Sequence, residues 1–204
     1  MCTQRYTLLR IPVQTKQLLP RAERRASILR GAAAAFAEAG FAHTSMEDVG
    51  AACGVTKLIV YRHFGTKEEL YRAILQGVFE RLGQELQAGL AAQPPHRGVG
   101  VRTQLVVARE DPDGYTLLWR HAAREPMFAA YAASLRETTI EVVRQLLHLH
   151  TGDAVVDRWK ADVLFSFLVD ATLAWIENGD PTRDADYSHH TTAGFWALLE
   201  TWRT

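Results

Sequence analysis

From Arg21 to Trp202 the apolar residues recur at steps of three and four, and nowhere do they alternate. That single feature excludes a half-buried sheet, which needs a period of two, and predicts an all-helical fold. The punctuation between the periodic runs counts the helices. Ile28, Ala32, Ala35, Phe36 and Ala39 share one face, and Gly40 stops that helix. A capping box opens the next, formed either by Thr44 with Glu47 or by Ser45 with Asp48. Gly54 ends this short element, and Thr56 can cap a third that runs from Lys57 to about His63.

Thr66 and Glu69 form another capping box. The long helix after it carries Leu70, Ile74, Val78, Leu82, Leu86 and Leu90, and ends before Pro94-Pro95. Five more helices follow. One spans about Gly98 to Arg109, and Asp111-Pro112 opens the next as N-cap and first helical residue. Pro126 is expected to open a long helix that reaches about His150 and stops at Gly152. A strongly apolar helix covers about Val155 to Asn178 and ends in Gly179 and Pro181. The last covers about Ala185 to Trp202. The reading is therefore all-α with about nine helices: a basic tail over 1–20, a small domain over 21–66 and a helical bundle over 67–204.

The two short helices joined through Gly54-Val55 have the proportions of a helix-turn-helix. Glycine suits a turn that needs positive φ, and Val55 would plug the angle between the helices. In the second helix Lys57, Tyr61 and Arg62 can reach phosphates or base edges in a major groove, while Ile59, Val60 and Phe64 would face inward. Charge agrees with this. The formal net charge is zero, yet residues 1–75 hold 11 Lys and Arg against six Asp and Glu, and the remainder is acidic by the same margin. DNA responds to the local patch and not to the average.

Gly54-Val55-Thr56-Lys57, then Tyr61-Arg62-His63-Phe64, then Thr66-Lys67-Glu68-Glu69-Leu70 resemble the signature of the TetR family of transcriptional regulators. Phe36-Ala37-Glu38-Ala39-Gly40-Phe41 and Thr44 to Val49 match it upstream. The resemblance is close over about fifty residues; beyond them the chain is similar only in style, length and helicity. One departure is Leu58-Ile59, where the family commonly has a small or glycine-containing pair.

The resemblance implies a homodimeric regulator, usually a repressor, that binds a double-stranded, pseudo-palindromic operator. It implies that Tyr61, His63 and Lys67 contact phosphates and that Thr44 touches the backbone. Lys57, Leu58 and Arg62 lie where base readout varies among members, Thr56 is a further candidate DNA contact, and Arg24 and Arg25 could follow the phosphates. It also implies a small-molecule effector of unknown identity in the bundle. Candidate lining residues are Trp119, His121, Arg124, Met127, Phe128, Tyr131, Phe165, Leu168 and Trp175. Phe195, Leu199 and Trp202 are candidates for the dimer interface.

Other chemistry finds no foothold in the sequence. There is no glycine-rich phosphate loop, nucleophile elbow or Cys-x-x-Cys, so neither enzyme nor cofactor is expected. Among the eight histidines, His148 and His150 are two apart and His189 and His190 adjacent. Neither pair shares a helix face, so no metal site is expected. Cys2 and Cys53 are too few for a disulfide framework, and no apolar run is long enough for a membrane span. A reducing, cytoplasmic setting without a membrane partner is the expectation.

Overall fold

The computed structural model describes residues 20–92 and 97–202. The basic tail expected over 1–20 lies, apart from Pro20, outside the described residues. Within them the protein is all helical. Nine α-helices follow in order: α1 (Arg21–Ala39), α2 (Met46–Ala52), α3 (Lys57–His63), α4 (Lys67–Ala91), α5 (Val99–Glu110), α6 (Pro112–Thr116), α7 (Ala129–Leu146), α8 (Ala154–Asn178) and α9 (Asp184–Thr201). A π-helical turn, Leu117–His121, and a 3-10 turn, Ala122–Arg124, extend α6.

Helices α1 to α3 form the small head. Ile28, Ala32 and Phe36 of α1 are fully buried and meet Met46 and Val49 of α2 and Val60 of α3. Helix α4 belongs to both halves: its first turns bury Leu70, Tyr71 and Ile74 against the head, and Val78 and Leu82 continue into the bundle. The apolar core is therefore continuous across residue 66. Helices α5 to α9 close the bundle, α5 packing on α4 and α8, and α8 on α7 and α9.

The caps carry most of the local specification. Asp111 accepts from the Gly114 N–H at 3.0 Å with Pro112 at the first helical position. Asp153 caps α8 through the N–H groups of Val155 and Val156. Helix α7 departs from expectation at both ends. Pro126 sits in a turn in which the Glu125 carbonyl accepts from Phe128 and Ala129, and the helix starts at Ala129. At the other end His148 takes φ 51°. The Leu149 N–H bonds the Arg144 carbonyl and the His148 N–H that of Gln145, which is the Schellman pattern. A histidine thus occupies the left-handed position where glycine is the usual signal, so the stop comes at Leu146 and not at Gly152.

Candidate DNA-reading face and ligand cavity

The turn that orients α3 is tight. Gly54 has φ 63°, and the Val55 N–H donates to the Gly50 carbonyl at 2.9 Å. A Cβ on Gly50 would stand 2.9 Å from the Val55 carbonyl oxygen, so the two strands of backbone touch where only glycine fits. Ser45 with Asp48 closes the capping box of α2. The Asp48 carboxylate accepts from the Ser45 N–H at 2.8 Å and from its hydroxyl at 2.7 Å. Those bonds hold the Asp48 carboxyl below its ordinary pKa.

With α3 so placed, Val60 and Phe64 point into the head and are buried, and Ile59 is half-buried. Thr56, Lys57, Leu58, Tyr61 and Arg62 point out. Leu58 is 66% exposed and Tyr61 46%, and the two stand three residues apart on the same outward face. Thr56 is the N-cap of α3 by backbone position, but its hydroxyl accepts no capping bond, so it too is available outward. Lys57 is paired at 3.5 Å with Glu47, and both are well exposed. Such a pair is weak and exchanges readily for a phosphate.

Helix α1 borders this row with cations. The Arg25 guanidinium lies 4.8 Å from the centre of the Phe64 ring, which steers it toward the end of α3. Arg21, Arg24, Arg25 and Arg62 surround His63. Partial burial first, and then these four cations, hold the His63 imidazole below its ordinary pKa.

Two predicted contacts are corrected. The Thr44 side chain is buried, and its hydroxyl donates to the Gly40 carbonyl at 2.8 Å and lies 3.2 Å from that of Ala35. It locks the end of α1 and cannot offer its hydroxyl to DNA; of the two possible capping boxes, the one with Ser45 leaves Thr44 facing inward. Lys67 is half-buried, its ammonium donates to the Phe41 carbonyl at 2.8 Å, and it rests 4.3 Å from the Phe41 ring centre. It ties α4 to the loop after α1, and the anion-facing groups left at the start of α4 are its backbone N–H groups.

In the bundle a cavity of about 330 Å³ lies among α4, α5, α7, α8 and α9. Its walls are apolar, with Leu86, Val143, Phe165, Leu168 and Phe195 prominent. Of the predicted lining residues only Phe165 and Leu168 reach it. Trp119 stands behind Phe165, edge-on at 5.0 Å, with its indole N–H buried and unpartnered. Phe128 is fully buried against Tyr71 at 4.4 Å and Phe41 at 4.9 Å. That aromatic joint fastens the head to the bundle. Tyr131 hydrogen-bonds Gln76 and lies under the Arg72 guanidinium. Trp175 stacks on Tyr187 and donates to Asp184 at 2.6 Å, the carboxylate that Arg109 grips with two nitrogens. Met127 and Arg124 are exposed, and His121 lies in the π turn away from the cavity.

The predicted dimer residues also move. Leu199 is buried in the protomer's own core, and Phe195 lines the cavity. Trp202 is half-buried, 5.2 Å from Trp159. The large apolar groups exposed on α8 are Val155, at 79%, and Trp159, at 52%. Sequence reasoning missed Gln104, Thr103 and Arg97 as cavity residues. A glutamine inside the apolar stripe of α5, between Val101 and Val107, was the available signal.

The family model described as bacterial regulatory proteins, tetR family, matches residues 28–74, the stretch from mid-α1 into α4. Along most of its length the chain is 29% identical to the HTH-type transcriptional activator FasR of Mycolicibacterium smegmatis, covering 89% of this chain and 85% of that one. It is 37% identical over 106 residues to the HTH-type transcriptional repressor Rv3405c of Mycobacterium tuberculosis, 51% of this chain and 56% of that protein's length. Among solved structures, AibR in complex with isovaleryl coenzyme A and operator DNA superimposes with a TM-score of 0.63 at 19% identity, covering 83% of this chain and 96% of that one. The outward reading helix, the tetR-family match over residues 28–74 and the likeness to FasR along most of the chain indicate a TetR-family, helix-turn-helix transcriptional regulator, and the solved structures share its fold.

Proposed function

We propose that this regulator binds a pseudo-palindromic operator as a homodimer in the cytoplasm, represses transcription from it, and is released by a small organic ligand. The observation that carries the reading is the outward row on α3, Thr56, Lys57, Leu58, Tyr61 and Arg62, flanked by Arg21, Arg24 and Arg25 on α1. Lys57, Arg62 and the α1 arginines supply phosphate attraction, Tyr61 a hydroxyl donor to phosphate, and Leu58 an apolar contact for a thymine methyl. Dimerisation through the outer faces of α8 and α9 would cover Trp159 and Val155. Two heads would then face successive major grooves about 34–36 Å apart or somewhat wider.

The cavity supports the ligand step. It is walled by α4 and its neighbours and open at one side, and α4 continues into the head, which Phe128, Tyr71 and Phe41 clamp to the bundle. A ligand that prefers one tilt of α4 changes the spacing of the heads and so the operator affinity, by as much as its preference between the two states. AibR, a fold neighbour, is known with an acyl-coenzyme A and operator DNA together, which fits this architecture. The FasR likeness favours activation as a second reading.

The test is selection of bound duplexes from a random library, then titration at two salt concentrations with the wild type and Tyr61→Ala. Enrichment of an inverted repeat, weakened by salt and by the substitution, supports the proposal. No enriched repeat and no effect of Tyr61→Ala would sink it. A reporter behind the selected site separates repression from activation.

A further inference from the structure

Resting on the reading of the α4–α9 cavity as the effector site, we infer that its ligand is an alkyl carboxylate of medium chain length, tail inward and carboxylate at Arg97. Three observations converge on this. First, the walls are aliphatic and aromatic, and the roughly 330 Å³ inside holds about ten methylene-sized groups, if each takes a volume like the ~30 Å³ of a water. Second, Arg97 is the one charged side chain lining the cavity among the described residues. Its guanidinium lies 4.9 Å from the Trp196 ring centre, and the Trp196 indole N–H donates to the Arg97 carbonyl at 3.0 Å. Both the side chain and its backbone are thereby held at the rim. An arginine stacked on an indole keeps its in-plane N–H fork free, and that fork matches a carboxylate. It is paired with Glu200 at 3.8 Å, both groups largely exposed, and such a pair is too weak to compete with a bidentate bond.

Third, the buried polar groups are few and gathered on α5. Gln104 is 7% exposed, and its carbonyl accepts from the Tyr115 hydroxyl at 2.8 Å. Its amide nitrogen remains the donor that this cavity-lining residue can offer. A tail that carries one oxygen, such as a hydroxy or oxo group, is therefore accepted at that depth, whereas a cation has no acceptor carboxylate to meet.

The experiment uses the full-length protein and three probes below their micelle concentrations: decanoate, decanol and decyltrimethylammonium. Binding is followed by calorimetry and by quenching of tryptophan fluorescence. Decanoate is expected to bind at least tenfold more tightly than decanol, and the ammonium not to saturate. Arg97→Gln is expected to weaken decanoate about tenfold and leave decanol unchanged, and Val143→Trp, which fills the cavity, to abolish both. Equal binding of acid and alcohol, or indifference to Arg97→Gln, overturns the inference. Release from the selected operator is measured separately. Saturable decanoate binding at Arg97 without release would leave the ligand class standing and remove the effector reading instead.

Discussion

A single methyl group added at Gly50 should loosen the reading head, although the same change elsewhere in a helix strengthens it. In a helix interior alanine is favoured over glycine by about 1 kcal/mol. At Gly50 that gain meets backbone. The new Cβ would lie 2.9 Å from the Val55 carbonyl oxygen, 3.1 Å from the Lys57 nitrogen and 3.3 Å from the Thr56 carbonyl carbon. None of these atoms can rotate away as a side chain would. Forcing an extra methylene into such a contact costs about 1–3 kcal/mol, so the net expectation for Gly50→Ala is a loss of up to about 2 kcal/mol. Gly77 and Gly83 in α4 are the controls, because nothing lies within 4 Å of a Cβ at either. Alanine there should add about 0.5–1 kcal/mol. In a chain of this size that separates the variants by several degrees of melting temperature, at about 2–4 °C per kcal/mol. Operator affinity adds a second readout, since the atoms displaced in Gly50→Ala are those that set the angle of α3; the α4 variants should bind as the wild type does. If Gly50→Ala proved as stabilising as Gly77→Ala and bound DNA normally, the tight α2–α3 turn would not be what positions the reading helix.

Two further outcomes follow from local geometry. His148→Gly should stabilise the protein by about 1 kcal/mol, because a non-glycine residue at φ 51° carries the left-handed cost that glycine avoids; no gain in denaturant midpoint would refute this account of the α7 stop. The His63 pKa is lowered on folding by burial and by Arg21, Arg24, Arg25 and Arg62, so the unfolded chain binds the proton more readily. The resulting stability is fully present above about pH 6.5, the ordinary histidine value, and is lost as pH falls through the lower folded value. His63→Gln should flatten that part of the stability profile. DNA phosphate beside His63 should raise its pKa again, so operator binding should take up a proton below pH 6.5, a shift visible by NMR titration of the imidazole. A free-protein pKa at or above 6.5 would contradict the assignment.

The parts of this protein that were legible in its sequence are those governed by neighbours within four residues. Helix starts at Thr66 and Asp111-Pro112, the stop at Gly40 and the turn at Gly54 are each a local hydrogen-bond or φ requirement written in one or two side chains. The inward Val60 and Phe64 and the outward Tyr61 and Arg62 follow from one helical period, and the family resemblance assigned that outward face to DNA. Where local rules tied, the tertiary structure broke the tie. Thr44 and Ser45 both satisfy the capping spacing, and only the packing of α2 under α1 buries the Thr44 hydroxyl against the Gly40 carbonyl. Lys67 is a plausible phosphate ligand by position, yet the loop after α1 folds back to bring the Phe41 carbonyl within 2.8 Å of its ammonium. In the bundle, spacing says that a residue lies on an apolar face but not which neighbour that face meets. Phe165 lines the cavity while Trp119 stands behind it and Phe128 joins the head, and Phe195 turns inward while Trp159 remains exposed. Those distinctions depend on the relative rotation of helices far apart in the chain, a property of the assembled core that no window of sequence contains.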